Sequence, residues 1–128
     1  VTPIARKRVL VVDDAGEVVA LCVNLLQSLG YGARGATRGD AALDLLRRES
    51  FDLVIVDYRM PGMNGFELLE QARVVRPEAL FLLLTGFGTA DVVGDATARG
   101  FHAVLLKPFR RDDLRDAVAR MLGDGTEA

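Results

Sequence analysis

The chain is 128 residues long, 50% hydrophobic and 27% charged, which is enough for one domain with a real core and too little for two ordinary ones. Its 16 Lys and Arg against 18 Asp and Glu leave a net charge of −2, so no electrostatic case exists for nucleic-acid or membrane binding. Cys22 is the single cysteine, which excludes an internal disulfide and a cysteine-rich zinc site.

The first apolar run, Val9–Asp13, reads as a strand covered on both faces. It closes on two carboxylates, Asp13 and Asp14, with no spacer between core and charge. A helix is predicted over 16–29, with Val18, Cys22, Leu25 and Leu29 on one face, and Cys22 there is a core thiol rather than a reactive one. Gly30 stands where a left-handed cap is needed. Tyr31–Ala36, "YGARGA", is weak and polar, which suits an edge strand. The Gly39 turn and Asp40 open a helix over 39–49. Leu53–Asp57 is again nearly continuous in Val, Leu and Ile, and it too ends on an acid. A helix over 65–76 is stopped by Pro77. Leu80–Thr85 is the fourth strand, and a helix over 89–99 ends at Gly100. Ala103–Leu106 and a helix over 111–122, with Leu114, Val118 and Met121 or Leu122 inward, complete the pattern. Five β–α units without an interrupting linker predict a doubly wound α/β domain with a central parallel sheet. No apolar run approaches the ~20 residues of a membrane span and no signal-peptide pattern is present, so a cytoplasmic location without membrane insertion is expected.

Ligands of such sheets bind beyond the carboxyl ends of the strands, near the reversal in strand order. The chemistry-bearing residues there are Asp13 with Asp14, Asp57, Thr85 and Lys107. Lys107 draws attention because the only other lysine is Lys7, the remaining basic residues being Arg. Carboxylates crowded at one edge repel, by roughly 4 kcal/mol per pair at about 4 Å and an effective dielectric of about 20. Shared protons or a cation must offset this. An all-oxygen site with room for water and phosphate suits Mg²⁺ or Mn²⁺. An EF-hand-like Ca²⁺ loop is excluded, because no D-x-[DN]-x-[DN]-G run exists. A plainer reading makes Asp13 and Asp14 acids that cap the first helix and Asp57 a turn residue. Thr85 and Lys107 favour a phosphate site instead, since an ammonium neutralises one phosphoryl oxygen and a hydroxyl binds another.

The blocks "VVDD", "VIVDYRMPGMNG", "LLTG" and "LLKPF" resemble, in that order, the signature of the response-regulator receiver domain of two-component signalling, chemotaxis regulators among them. The resemblance spans residues 8–122, between tails at 1–7 and 123–128. It implies a flavodoxin-like (βα)5 three-layer sandwich whose five-stranded parallel sheet has the order 2-1-3-4-5. It also implies that Asp57 is the phosphoacceptor, taking a phosphoryl group from the phosphohistidine of a histidine kinase or histidine phosphotransfer protein. Asp14 and Asp57 would hold Mg²⁺ through their side chains, Arg59 through its main-chain carbonyl and Asp13 through a metal-bound water. Lys107 and the metal would neutralise the transferring oxygens. Such a domain is a switch that catalyses only its own phosphorylation and autodephosphorylation, not an enzyme with turnover. In the family the bond before the proline of the "KP" pair, here Pro108, is cis. Met60-Pro61 and Gly65 would shape the loop after Asp57, Pro fixing a turn and Gly permitting an unusual dihedral.

One departure stands out. Thr85 should respond to the phosphoryl charge in concert with an aromatic residue three positions before the lysine, and that position is Val104. Phe101 or Phe87 is the candidate substitute. Arg59 and Phe87, two residues past Asp57 and Thr85, flank the acyl phosphate in the family, and their bulk predicts slow autodephosphorylation. His102, the only histidine, reads as a surface residue at the start of a strand. The cluster "RRDDLRD" at 110–116 reads as solvated first turns of the last helix, with a charge-paired partner surface as the alternative. Relatives use the α4-β5-α5 face for homodimers or output.

Two rival readings remain. A hydrolase with an aspartate nucleophile would place a D-x-D run on the first strand, where this chain has "DD". A degenerate receiver would act as a protein-binding module without phosphorylation, a reading that Val104 favours and the intact acids oppose. No helix-turn-helix or basic patch appears, so direct nucleic-acid binding is not expected. The "GFHAVLLKPFRRDDL" stretch and the non-Met start are most similar to receivers of hybrid histidine kinases.

Overall fold

The computed structural model describes residues 6–86 and 90–123. Its first half runs β1 (Arg8–Val12), α1 (Gly16–Ser28), β2 (Gly32–Ala36), α2 (Gly39–Arg48) and β3 (Leu53–Asp57). The second half runs α3 (Gly65–Val75), β4 (Leu80–Thr85), α4 (Ala90–Arg99), β5 (Ala103–Leu106) and α5 (Arg111–Leu122). The strands form one parallel sheet in the order β2-β1-β3-β4-β5, as the resemblance implied. Among the described residues no helix is long and apolar enough to cross a membrane.

Strand pleating sorts each apolar run between two layers. Leu10, Val12, Val54, Val56, Phe81 and Leu83 face α2, α3 and α4, meeting Leu43, Leu46, Leu68, Leu69 and Ala96. Val9, Val11, Leu53, Ile55, Leu82 and Leu84 face α1 and α5, meeting Cys22, Leu25, Leu26, Leu114 and Val118. Both faces are covered, so β1, β3 and β4 need apolar residues at nearly every position. β2 lies at the edge and leaves Arg34 and Gly35 exposed, which accounts for its polar sequence. Gly30 and Gly100 adopt φ of 101° and 119° just after α1 and α4, the left-handed conformation expected of caps.

α1 bears out the expected face and widens it. Its buried residues are Val19, Cys22, Leu25 and Leu26, while Val18 and Leu29 sit half-buried at the margin. Cys22, Leu25 and Leu26 belong to the core beneath α1, Val18 and Leu29 pack against its margin, and Val19 stands against Gly35 of β2. Leu26→Ala is therefore expected to cost about 3 kcal/mol in urea denaturation and Leu29→Ala under about 1. The reverse order would make the margin of the helix, rather than Leu26, the anchor of this face.

Candidate functional site at the carboxyl edge of the sheet

Parallel strands deliver their carboxyl ends to one edge, and hydrogen bonds extend the ladder into the site residues. Asp13 N donates to Ala36 O at 3.2 Å, Tyr58 N to Leu84 O at 2.9 Å and Lys107 N to Thr85 O at 2.9 Å. The register sets Asp57 beside Leu84 and Thr85 beside Leu106. Asp13, Asp57 and Thr85 are the buried polar residues among those described, at 1%, 6% and 1% exposure. Buried carboxylates need a partner, and Lys107 supplies it. Its Nζ lies 2.7 Å from Asp13 Oδ2 and 3.0 Å from Asp57 Oδ1. Asp14 is exposed, yet carboxylate oxygens of Asp13, Asp14 and Asp57 come within 4.8 Å of one another.

Neither aspartate of the pair caps α1. The N-cap is Ala15, without a side-chain bond to the helix, and Asp13 Oδ1 accepts the Ala15 N–H at 2.9 Å ahead of the first turn. That bond orients the buried carboxylate so that Oδ2 meets Lys107. The doubled acid is thus built into a charged pocket, and the plain capping reading does not hold.

The electrostatics follow from this packing. Burial pushes the Asp57 carboxyl above its ordinary 3.8; the Lys107 hydrogen bond opposes the shift, while Asp13 and Asp14 add to it. Burial alone would lower Lys107, but hydrogen bonds and charge from Asp13 and Asp57 outweigh it and raise the ammonium above 10.5. Burial also pushes the Cys22 thiol up to about 11, with Asp13 adding to the shift, which fits an inert core residue.

A cavity of about 190 Å³ opens over these groups, lined by Asp57, Tyr58, Arg59, Thr85, Gly86 and Lys107. It is smaller than the roughly 300–1,000 Å³ of small-molecule pockets, and its size suits a phosphoryl group rather than a nucleotide. The Lys107–Pro108 peptide bond is cis.

The loop after Asp57 holds a second correction. Gly65 has no left-handed dihedral; the positive φ there, +83°, belongs to Gly62. Gly65 is required for space, since a Cβ would stand 2.7 Å from the Asp57 carbonyl oxygen and 3.2 Å from Tyr58 Cα. The start of α3 is fixed by a capping box in which Glu67 N donates to Asn64 Oδ1 at 2.9 Å and Asn64 N to Glu67 Oε1 at 3.0 Å. The N-x-x-E spacing before an apolar run was the available sequence signal. No local pattern announces the role of Tyr58, whose ring lies 4.9 Å from that of Phe66.

The remaining expected residues fall elsewhere. Val104 is half-buried, paired with Leu83 and packed toward the α2–α4 layer. Phe101 is buried, with its ring 6.0 Å from Phe66. Phe87 lies outside the described residues. His102 is exposed just before β5, at the end of the sheet opposite the acids, where its Nδ1 accepts Phe81 N–H at 3.0 Å and its N–H donates to Phe81 O at 2.8 Å. In the 110–116 cluster, Arg115 pairs with Asp112 and Asp116, each at 3.2 Å, and Asp113 accepts Arg110 N–H at 2.8 Å. Arg115 thus neutralises two of these acids within α5.

Comparison with known proteins agrees with this geometry. The family model for the response regulator receiver domain matches residues 9–119. The chain is 32% identical over 117 residues to sporulation initiation phosphotransferase F of Bacillus subtilis, covering 91% of this chain and 94% of that protein. It is 32% identical to response regulator receiver protein CpdR of Brucella abortus, covering 91% and 97% of the two chains. Identity reaches 40% with response regulator protein FleR of Pseudomonas aeruginosa, of which the matched region is 24%. Chemotaxis protein CheY4 of Vibrio cholerae superposes with a TM-score of 0.88 at 31% identity, covering 92% of this chain and 100% of that one. The sheet order, the acidic pocket and the matched span agree: this chain belongs to the response regulator receiver domains of two-component systems.

Proposed function

We propose that this domain, over 8–122, accepts a phosphoryl group on Asp57 from a phosphohistidine and changes the surface it offers a partner. One observation carries the reading: Lys107 bridges the buried Asp13 and Asp57 at a small open cavity of phosphoryl size that Thr85 also lines. In the transfer, an Asp57 carboxylate oxygen forms the new O–P bond as the N–P bond breaks, and its electron pair returns to the imidazole. Lys107 neutralises one phosphoryl oxygen and the Thr85 hydroxyl binds another. The name of the B. subtilis relative, a phosphotransferase, is consistent with transfer chemistry.

The donor set fits a hard divalent cation. Every candidate ligand is oxygen, and the three carboxylates outnumber the one ammonium that they meet. Asp14 and Asp57 would hold Mg²⁺, or Mn²⁺, through their side chains and Arg59 through its main-chain carbonyl. Both oxygens of Asp13 already carry partners, Ala15 N–H and Lys107, which supports its acting through a water. When bound, the metal supplies positive charge against the phosphoryl oxygens.

The partner that fits is a histidine kinase or histidine phosphotransfer protein in the cytoplasm. An apolar groove of about 390 Å³, lined by Val18, Leu21, Pro108 and Phe109, adjoins Lys107 and offers it a docking surface. Leu106, 47% exposed on edge strand β5, offers an apolar centre for a homodimer or output contact on the α4-β5-α5 face. The alternative, a binding module that is never phosphorylated, rests on Val104.

Intact-mass spectrometry after incubation with acetyl phosphate, with and without Mg²⁺ and beside Asp57→Ala, tests the proposal. A gain of one phosphoryl mass that needs both Mg²⁺ and Asp57 is expected. No gain under any condition would favour the binding module. The same assay, chased without donor, reads the lifetime; slow loss is expected from the bulk of Arg59 and Phe87, and a half-life of seconds would refute that.

A further inference from the structure

A phosphoryl group on a buried carboxylate informs a partner only through a change at the surface. Val104, three positions before Lys107, is β-branched and half-buried, and has little rotamer freedom to report one. A different set of side chains leads out of the pocket. Tyr58 follows Asp57 directly and lines the cavity. Its ring stands 4.9 Å from Phe66, tilted by 55°. Phe66 lies 6.0 Å from Phe101 and carries the Arg99 guanidinium over its face at 4.5 Å. Arg99 is the last residue of α4, and its carbonyl accepts a hydrogen bond from Arg73 of α3 at 2.6 Å. One side chain, Phe66, thus touches the residue after Asp57, the end of α4 and the approach to β5.

The connection is mechanical at its inner end. Gly65 sits so close to the Asp57 carbonyl that a Cβ there would stand 2.7 Å away, and its N–H donates to Tyr58 O at 2.9 Å. A shift of the Asp57 main chain must therefore move the first turn of α3, where Phe66 is the next residue, because close-packed contacts transmit displacement. At the outer end the Arg99 guanidinium stands over the ring and 3.8 Å from Glu70 Oε1. Because Arg99 is exposed, water competes for its charge, and a small movement of the ring would shift that balance.

We propose that Phe66 couples the phosphoacceptor site to the C-terminal end of α4, through Tyr58 on one side and Arg99 with Phe101 on the other. This rests on Asp57 being the phosphoacceptor. The resulting change at Arg99, Gly100 and Phe101 gives the domain an output on the α3–α4 side that does not need an aromatic residue at position 104.

Hydrogen-exchange mass spectrometry of the full chain in Mg²⁺, before and after acetyl phosphate, tests the coupling, with intact mass recorded on the same samples. In the wild-type chain, exchange across the end of α4 and residues 100–102 should change on the order of tenfold upon phosphorylation. Phe66→Leu and the exposed variant Arg99→Gln should gain the same phosphoryl mass but respond by under about twofold. Arg99→Lys, which keeps a cation over the ring, should retain the response. A full response in both Phe66→Leu and Arg99→Gln, or a phosphorylated wild-type chain without one, would overturn the coupling alone. A wild-type chain that gains no phosphoryl mass would overturn the phosphoacceptor reading and this inference with it.

Discussion

Lys107→Met should destabilise the Mg²⁺-free protein by about 3 kcal/mol at neutral pH, because it strands charge that the fold has buried. Methionine keeps most of the aliphatic stem, so the loss isolates the ammonium. Asp13, at 1% exposure, loses its 2.7 Å partner, and Asp57 loses one at 3.0 Å. In a domain of this size that corresponds to a fall in Tm of roughly 10 °C. The ammonium's raised pKa sets the pH window: its contribution is present through neutral pH and is lost as pH climbs through the folded value, above 10.5. Mg²⁺ should restore part of the loss by taking over the neutralising charge. Urea denaturation with and without Mg²⁺ reads both effects, and an unchanged midpoint in the variant would mean that the two carboxylates do not depend on Lys107.

The opposite sign is expected at Asp57. Asp57→Asn should stabilise the Mg²⁺-free protein by about 1 kcal/mol at neutral pH, since it removes a buried charge that repels two others. Folding raises the Asp57 pKa above 3.8, so the native state binds the proton more tightly than the unfolded chain does. The carboxylate's contribution to stability then falls as pH rises from about 3.8 through the folded pKa, and it stays unfavourable above that. The gain in the variant should therefore be present at neutral pH and vanish below about pH 3.8. The variant should also lose phosphoryl acceptance altogether and lose most stabilisation by Mg²⁺. In the Lys107→Met background Asp57→Asn should stabilise by more than it does alone, because the two residues share one contact and the ammonium no longer offsets the Asp57 charge. A variant less stable than the wild type at neutral pH without metal would show that Lys107 more than offsets the burial of Asp57.

Stability and chemistry are opposed at this site for one physical reason. On the proposed function, a pocket that receives a phosphoryl dianion beside carboxylates holds charges that the apo fold only partly neutralises. Lys107 balances two of the acids, and Asp14 remains exposed.

Much of this arrangement is legible in the chain itself. Continuous apolar runs at Val9–Val12, Leu53–Val56 and Leu80–Leu84 mark strands covered on both faces, and residues at their carboxyl ends reach one edge whatever the details of packing. Asp13, Asp57, Thr85 and Lys107 are therefore placed by periodicity and order alone, and the four quoted blocks add the family. Tertiary structure decided what periodicity leaves degenerate or cannot express. The inward face of α1 came to include Leu26 beside the expected Cys22 and Leu25, with Val18 and Leu29 at its margin, because contact with the sheet sets how wide the buried face is. Gly65 answered to the Asp57 carbonyl beside it and not to its own dihedral. Asp13 was oriented by Ala15 and Lys107 instead of capping a helix. Phe66 came to join Tyr58, Arg99 and Phe101 across α3, α4 and the approach to β5. Hydrophobic period and turn residues are properties of neighbours in the chain, whereas close approach and charge pairing belong to neighbours in space, and only the packed fold specifies those.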